Sequence, residues 1–175
     1  MLCYRVTTMH RIPSYLAAGA LAAASLCAQP AGTPAGEIAR QFASVNQRVL
    51  EMAKDFPATK YDYRLRPEMR SFGAVLVHIA SGNVFAAKAG GAAHLDWNQW
   101  TELDPANYKT KEATVALLEK SIADATATLK SLPAERFHSS LQPWIAVIEH
   151  AGEHYGLLVA YYRANGIVPP ASRKK

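Results

Sequence analysis

LQPWIAVIEHAGEHYGLLVAYYRAN, residues 141–165, carries the clearest structural pattern in the chain. Its apolar residues recur at spacings of three and four, which is the pattern of one face of a long helix. His150 and His154 lie four residues apart on that face, so their imidazoles can converge on one cation. Burying imidazoles without partners is costly, so the pair needs hydrogen bonds or a metal. The segment therefore predicts a core helix that carries half of a metal site.

Three other segments show the same helical periodicity, and two of them begin with good N-cap residues, Ser71 and Thr110. Long connections at residues 57–70 and 92–109 separate these helices, and the second connection is expected to pack through its aromatic residues. No alternating strand pattern or internal repeat is present. The predicted helices cover residues 36–54, 71–89 and 110–131. Four amphipathic helices with long crossover connections predict an all-α four-helix bundle.

Residues 1–28 are predicted to be a secretory signal peptide. Arg5 and Arg11 precede an unbroken apolar run at residues 15–24, and small residues lead to a cleavage site after Ala28. The apolar run is too short to span a bilayer comfortably, although a retained N-terminal anchor helix is the alternative. We therefore expect a secreted or periplasmic protein that does not associate with the membrane once the signal is removed.

The rest of the chain is predicted to comprise a flexible leader at residues 29–35, the bundle at 36–170 and a basic tail at 171–175. Both cysteines of the sequence, Cys3 and Cys27, lie in the signal peptide. The mature chain therefore offers neither a disulfide nor a thiolate, and any metal must be held by nitrogen and oxygen.

The net charge of +5 is concentrated at the two ends of the chain. Two of the 19 basic residues lie in the signal peptide and three in the tail, while none of the 14 acidic residues lies in either segment. The folded body is close to neutral, without the basic face that a nucleic-acid partner requires. We expect no nucleic-acid binding.

His78 is the best candidate for a third metal ligand, because it falls within the apolar stripe of the second helix. Three imidazoles leave an open position for water or substrate on Zn²⁺ or Ni²⁺. The alternative is that the three histidines are satisfied separately by hydrogen bonds. His94 and His138 lie in predicted loops, where we expect solvated side chains, although His94 could line the mouth of the site.

Glu153 is the candidate catalytic residue, as a proton shuttle or as an acceptor that orients an imidazole. Residues 150–154 also match H-x-x-E-H, the inverted zinc-protease pattern, in which this glutamate is the general base. That interpretation requires a carboxylate ligand from elsewhere in the chain. In the simplest alternative Glu153 is a surface acid, because it lies about 100° around the helix from His154.

Two segments resemble motifs of the DinB superfamily, and of a secreted branch of it in particular. HAGEHYGLLVAYYRANGIVPPAS at residues 150–172 is similar to the C-terminal signature, and MRSFGAVLVHIA at 69–80 is similar to the second-helix motif. The resemblance implies an up-down-down-up bundle with a metal held by His78, His150 and His154. Relatives include bacillithiol-dependent S-transferases and the metal-binding domain of mycothiol-dependent maleylpyruvate isomerase. Dimers are common in the family, so a homodimer is one expectation.

The leading hypothesis is an exported metal-dependent hydrolase or transferase that acts on a small molecule, with the bound cation activating water or a substrate heteroatom. The alternative is a helical bundle that binds a metal or a ligand without catalysis. A purely structural bundle with three hydrogen-bonded histidines is the remaining possibility.

Overall fold

Four long helices and one short helix form the part of the chain that the computed structural model describes, residues 32–90, 96–139 and 141–174. No strand occurs in these ranges. The helices are α1 (Pro34–Asp55), α2 (Phe72–Ala89), α3 (Lys111–Ser131), the short α4 (Ala134–Ser139) and α5 (Gln142–Ala164). The predicted all-α fold is confirmed. The predicted signal peptide, residues 1–28, and His94 lie outside the described residues.

Side-chain caps fix where the helices begin. The Ser71 hydroxyl accepts a hydrogen bond from the Ala74 amide at 3.2 Å, and the Thr110 hydroxyl accepts one from the Ala113 amide at 3.1 Å. Each bond satisfies one of the free amides of a first helical turn. Both predicted N-caps are therefore confirmed.

Helix α1 begins at Pro34, two residues before its predicted start. The Thr33 hydroxyl accepts a hydrogen bond from the Gly36 amide at 3.1 Å, and a proline in the first turn costs no backbone hydrogen bond. The last two residues of the predicted leader, 29–35, therefore belong to the helix. The prediction overlooked this cap because the apolar stripe of α1 becomes visible only from Ile38 onwards.

Helix α4 was not predicted, because six residues are too few to show a periodic pattern. His138 was predicted to lie in a loop and instead lies in this helix. Its side chain lies outside the described part of the structure.

Contacts along the bundle show that α5 runs parallel to α1. Near the start of both helices, the rings of Phe42 and Trp144 meet edge to face with centroids 5.8 Å apart. Near their ends, the Tyr162 hydroxyl donates to the carbonyl oxygen of Met52 at 2.8 Å. Because the start of α1 contacts the start of α5, and the end of α1 contacts the end of α5, the two helices run in the same direction.

Helix α2 runs antiparallel to α1 and parallel to α3. The end of α1 meets the start of α2 where Phe56 stacks on Phe72 at 3.9 Å. Farther along α2, Gly90 at its C-terminal cap lies against Thr128 near the end of α3. Helices α1 and α2 each pack beside both α3 and α5. The bundle is therefore up-down-down-up, as the resemblance implied.

The core side of α3 differs in part from the apolar stripe that its sequence predicts, which is Val115, Leu118, Ile122, Ala125 and Leu129. Val115 and Ile122 are only partly buried, whereas Thr114 and Ser121 are almost completely buried. Burial of these hydroxyls is tolerated because each donates to a backbone carbonyl, Thr114 to Tyr108 and Ser121 to Leu118. Apolar periodicity alone could not identify buried residues of this kind.

Helix α2 is long and apolar enough to cross a membrane by length and composition. Most of its residues are buried against α3 and α5, which is the position of a core helix in a bundle. Its hydrophobicity is therefore accounted for by packing.

The predicted basic tail, residues 171–175, is docked at its beginning. A short 3-10 helix, Pro170–Ser172, precedes Arg173, whose guanidinium donates to both carboxylate oxygens of Asp55 at 2.8 and 2.5 Å. Arg173 thereby joins the segment after α5 to the end of α1.

Candidate metal centre

Two antiparallel helices bring three histidines together. His78 lies in the middle of α2, while His150 and His154 lie one turn apart on α5. The Nε2 atoms of His78 and His150 are 3.0 Å apart, and each ring lies 4.6–4.8 Å from the other two. One nitrogen from each histidine lies within 4.8 Å of the others, so the group could hold a metal ion. These are the three residues that spacing on the two apolar faces indicated.

Burial keeps the three imidazoles neutral. It lowers the pKa of His150 to about 4, together with the positive charges that His154 and His78 carry when protonated. Burial also lowers the pKa of His154 to about 4, and that of His78 in the same direction. A neutral imidazole offers a free lone pair, which is the form that binds metal. The centre therefore need not release a net proton to bind a cation near neutral pH.

The depressed pKa values predict that acid destabilises the metal-free protein. Between about pH 6.5, where a free histidine titrates, and about pH 4, the unfolded chain binds protons at His150 and His154 that the folded bundle does not. Lowering the pH from about 7 to about 5 should therefore reduce the free energy of unfolding by about 1–2 kcal/mol for this half-buried pair. Urea titration in the presence of a chelator measures this change. An equal pH dependence in His154→Ala would contradict the assignment.

Gly82 on α2 makes room for His150. A β-carbon at this position would lie 2.8 Å from Nδ1 and 3.0 Å from Cε1 of the His150 ring, closer than van der Waals contact allows. The approach of His150 to His78 therefore depends on the missing side chain. The same Nδ1 is buried and has no hydrogen-bond partner among the described residues.

Trp100 forms an aromatic wall beside the histidines. Its ring centroid lies 5.7 Å from those of both His78 and His150, and 5.4 Å from that of Phe85. The connection between α2 and α3 was predicted to pack through its aromatic residues, and Trp100 confirms this. The side chain of Trp97 lies outside the described residues.

Glu102, in the same connection, was missed by sequence reasoning. Its Oε1 lies 3.1 Å from Nδ1 of His78, and the Arg70 guanidinium donates to its two oxygens at 3.3 and 3.0 Å. Burial alone would raise the pKa of this carboxyl, but the hydrogen bonds from Arg70 and His78 and the charge of Arg70 outweigh burial and lower it. Glu102 is therefore a carboxylate near neutral pH.

Glu153 is exposed on α5. Within the described part of the chain, no hydrogen bond or ion pair joins it to the three histidines, and its catalytic role stays a prediction. The metal-ligand group found there contains three histidines and no carboxylate. This composition does not match the inverted zinc-protease pattern, which needs a carboxylate ligand.

Comparison with known proteins agrees with this architecture. The family model described as the DinB superfamily matches residues 41–161, which include α2, α3, most of α1 and most of α5. All three histidines of the centre fall within the matched range. No curated protein matches the chain.

Proposed function

The chain belongs to the DinB superfamily, and on that premise we propose that it is an exported protein that binds one divalent transition metal through His78, His150 and His154. The observation that carries the proposal is the convergence of three neutral imidazoles from two helices within 4.8 Å. Three half-buried imidazoles packed together would otherwise have to be stabilised by hydrogen bonds, and the buried Nδ1 of His150 has none in the described structure.

Zinc and nickel are the proposed ions. An all-imidazole ligand set suits borderline ions of this kind rather than Mg²⁺ or Ca²⁺, which prefer oxygen. The only two cysteines of the chain lie within residues 1–28, so no thiolate from the bundle competes for the ion.

The proposed activity is that of a metal-dependent hydrolase or transferase. Three protein ligands leave one coordination position open, as in catalytic rather than structural zinc sites. A bound ion would lower the pKa of a water in that position to about 7 and so supply a nucleophile. Trp100 covers one side of the site and limits the access of bulk water there.

A cavity of about 470 Å³ is the proposed place for a small-molecule substrate. The three histidines are not among its lining residues, but Ala74, one helical turn before His78, and Arg70, which contacts Glu102, are. Three cationic side chains and one acidic side chain face it, namely Arg64, Arg70, Lys109 and Asp62. This balance of charge favours a substrate with an anionic group.

Export and assembly are further parts of the proposal. Export rests on the sequence of residues 1–28, where basic residues precede a short apolar run. A homodimer is proposed from the frequency of dimers among the relatives. Sequencing the N-terminus of the mature protein would test export, because cleavage should follow Ala28. Sedimentation velocity would test whether the protein is a homodimer.

Metal analysis tests the proposed binding. The protein, produced without a histidine tag and incubated with Zn²⁺ or Ni²⁺, should retain about one equivalent after gel filtration. Removal of the ion with a chelator should lower the melting temperature, because an ion that binds only the folded state stabilises it. Retention of no metal after incubation with either ion would remove the proposal.

One observation favours the alternative of a metal-binding bundle without catalysis. Glu102 is engaged by Arg70 and His78, and Glu153 is exposed without contact to the centre. Among the described residues neither carboxylate therefore stands free beside the open coordination position. If the zinc-loaded protein hydrolyses members of an ester and amide panel and His154→Ala does not, the protein is an enzyme. A zinc-loaded protein inactive throughout the panel would favour the alternative.

A further inference from the structure

The side chains of Arg70, Glu102 and His78 are hydrogen-bonded in series, and the first two lie on the side of His78 that faces away from the other histidines. The Arg70 guanidinium donates two hydrogen bonds to the Glu102 carboxylate, at 3.3 and 3.0 Å. The carboxylate in turn lies 3.1 Å from Nδ1 of His78. The other ring nitrogen of His78, Nε2, faces His150. The two nitrogens of one imidazole are thus divided between a carboxylate and the metal-ligand group.

The chemistry of the carboxylate determines the tautomer of His78. An ionised carboxylate only accepts hydrogen bonds, so the contact requires a proton on Nδ1. In a neutral imidazole Nε2 then carries the free lone pair, directed toward the other two histidines. The 3.0 Å contact between the two Nε2 atoms must, in the metal-free protein, be donated by His150.

We propose that Glu102, oriented by Arg70, is a positioning residue of the metal centre, which holds the Nδ1 proton of His78 and so fixes its Nε2 lone pair toward His150 and His154. This inference rests on the proposed metal-binding function and identifies what prepares one of its ligands. Carboxylates in this relation to a ligating histidine fix ring orientation and raise ligand basicity.

The position of Glu102 is itself fixed by an anchor on α2. The Leu103 amide donates to the Ser81 hydroxyl at 3.0 Å, and that hydroxyl donates to the carbonyl oxygen of Val77 at 2.9 Å. Ser81 is almost completely buried, so the anchor is protected from water. The connection is therefore tied to α2 within one turn of His78.

A second anchor joins Arg70 to α5. The Tyr161 hydroxyl donates to the backbone carbonyl oxygen of Arg70. Each of the two helices that carry the histidines is thus attached to one end of the Arg70–Glu102 pair. An ordinary exposed ion pair has no such attachments and contributes little.

Metal affinity separates positioning from other roles of the carboxylate. Glu102→Ala should weaken Zn²⁺ binding by roughly 10–100-fold, as loss of an outer-shell partner of a ligating histidine does. Glu102→Gln should stay within a few-fold of the parent, because its amide oxygen still accepts the Nδ1 proton. Glu119→Gln, which removes the charge of an exposed glutamate paired with Lys54, is the matched control and should bind as the parent does. Competition with a chromophoric chelator gives the dissociation constants.

The Co²⁺ absorption spectrum distinguishes positioning from direct ligation. Parent and Glu102→Gln should give the same ligand-field bands, because the three nitrogen ligands are unchanged. If Glu102→Gln bound as weakly as Glu102→Ala and changed the bands, Glu102 would be a metal ligand, and the inference would be overturned. Zinc affinity in Glu102→Ala equal to that of the parent would also overturn it.

The tautomer of His78 in the metal-free protein tests the role of Glu102 independently of whether the protein binds a metal. Imidazole ¹⁵N shifts of the chelator-treated protein should show His78 with its proton on Nδ1, and Glu102→Ala should shift the proton toward Nε2. If the parent binds no metal, the proposed function fails, while the tautomer still decides whether Glu102 positions His78. An unchanged tautomer in a folded Glu102→Ala would overturn the inference.

Discussion

His150→Ala and His154→Ala are each expected to abolish stoichiometric metal binding while leaving the helical content unchanged. Each removes one of three ligands, so the loss of affinity should exceed the roughly 10–100-fold that follows from removing an outer-shell partner. Both side chains are only half-buried, so their loss creates little cavity in the core. Metal content after gel filtration and far-ultraviolet circular dichroism measure the two effects on the same sample.

Glu153→Ala is the control for this pair of variants. Glu153 lies on the same helix between the two histidines, but it is exposed and absent from the metal-ligand group. This variant should retain the full equivalent of metal. Full metal content in His150→Ala or in His154→Ala would contradict the assignment of that residue as a ligand.

Gly82→Ala is expected to lose most of the metal affinity of the parent without unfolding the bundle. The added β-carbon would lie 2.8 Å from Nδ1 of His150, so the ring must move away from α2 and from His78. The group that must move is a half-buried side chain rather than backbone, and alanine favours the helix over glycine by up to about 1 kcal/mol. We therefore expect a melting temperature close to that of the metal-free parent, together with weak Zn²⁺ binding by calorimetry.

Gly152→Ala and Gly156→Ala are matched controls on α5. A β-carbon at either position would meet nothing within 4 Å. Both variants should raise the melting temperature slightly through helix propensity and bind zinc as the parent does. Parent-like zinc affinity in Gly82→Ala would show that the close packing of His150 against α2 is not required for the site.

The helices could be predicted from the sequence wherever one face is strongly apolar. Phe42 and Val49 in α1, and Val75 and Ile79 in α2, repeat at helical spacing and are buried as expected. Amphipathic periodicity does not give the direction of each helix, so the up-down-down-up order came only from the resemblance to a family. α4 has too few residues to show a period, and polar Ser121 does not look like a core residue.

The histidines of the site could be predicted because a helix has a regular geometry. His150 and His154 are stacked by their four-residue spacing, and His78 was identified by its place in an apolar stripe. Glu102 could not be found in this way, because it lies 24 residues from His78 in a connection without a period. Glu153 adjoins His154 in sequence and so was a candidate, but adjacent side chains on a helix diverge by about 100° around its axis. Contacts between segments that are distant in sequence become visible only in the folded chain.

X-ray absorption at the zinc edge tests most directly whether His78, His150 and His154 bind one metal ion together. The spectrum of the zinc-loaded protein should require three imidazole nitrogens at about 2.0–2.1 Å and one further light atom in the open position. The same spectrum from His78→Ala, if any zinc remains, should require fewer imidazoles. A parent spectrum that fits with one imidazole or none, surrounded by oxygen ligands, would contradict the account.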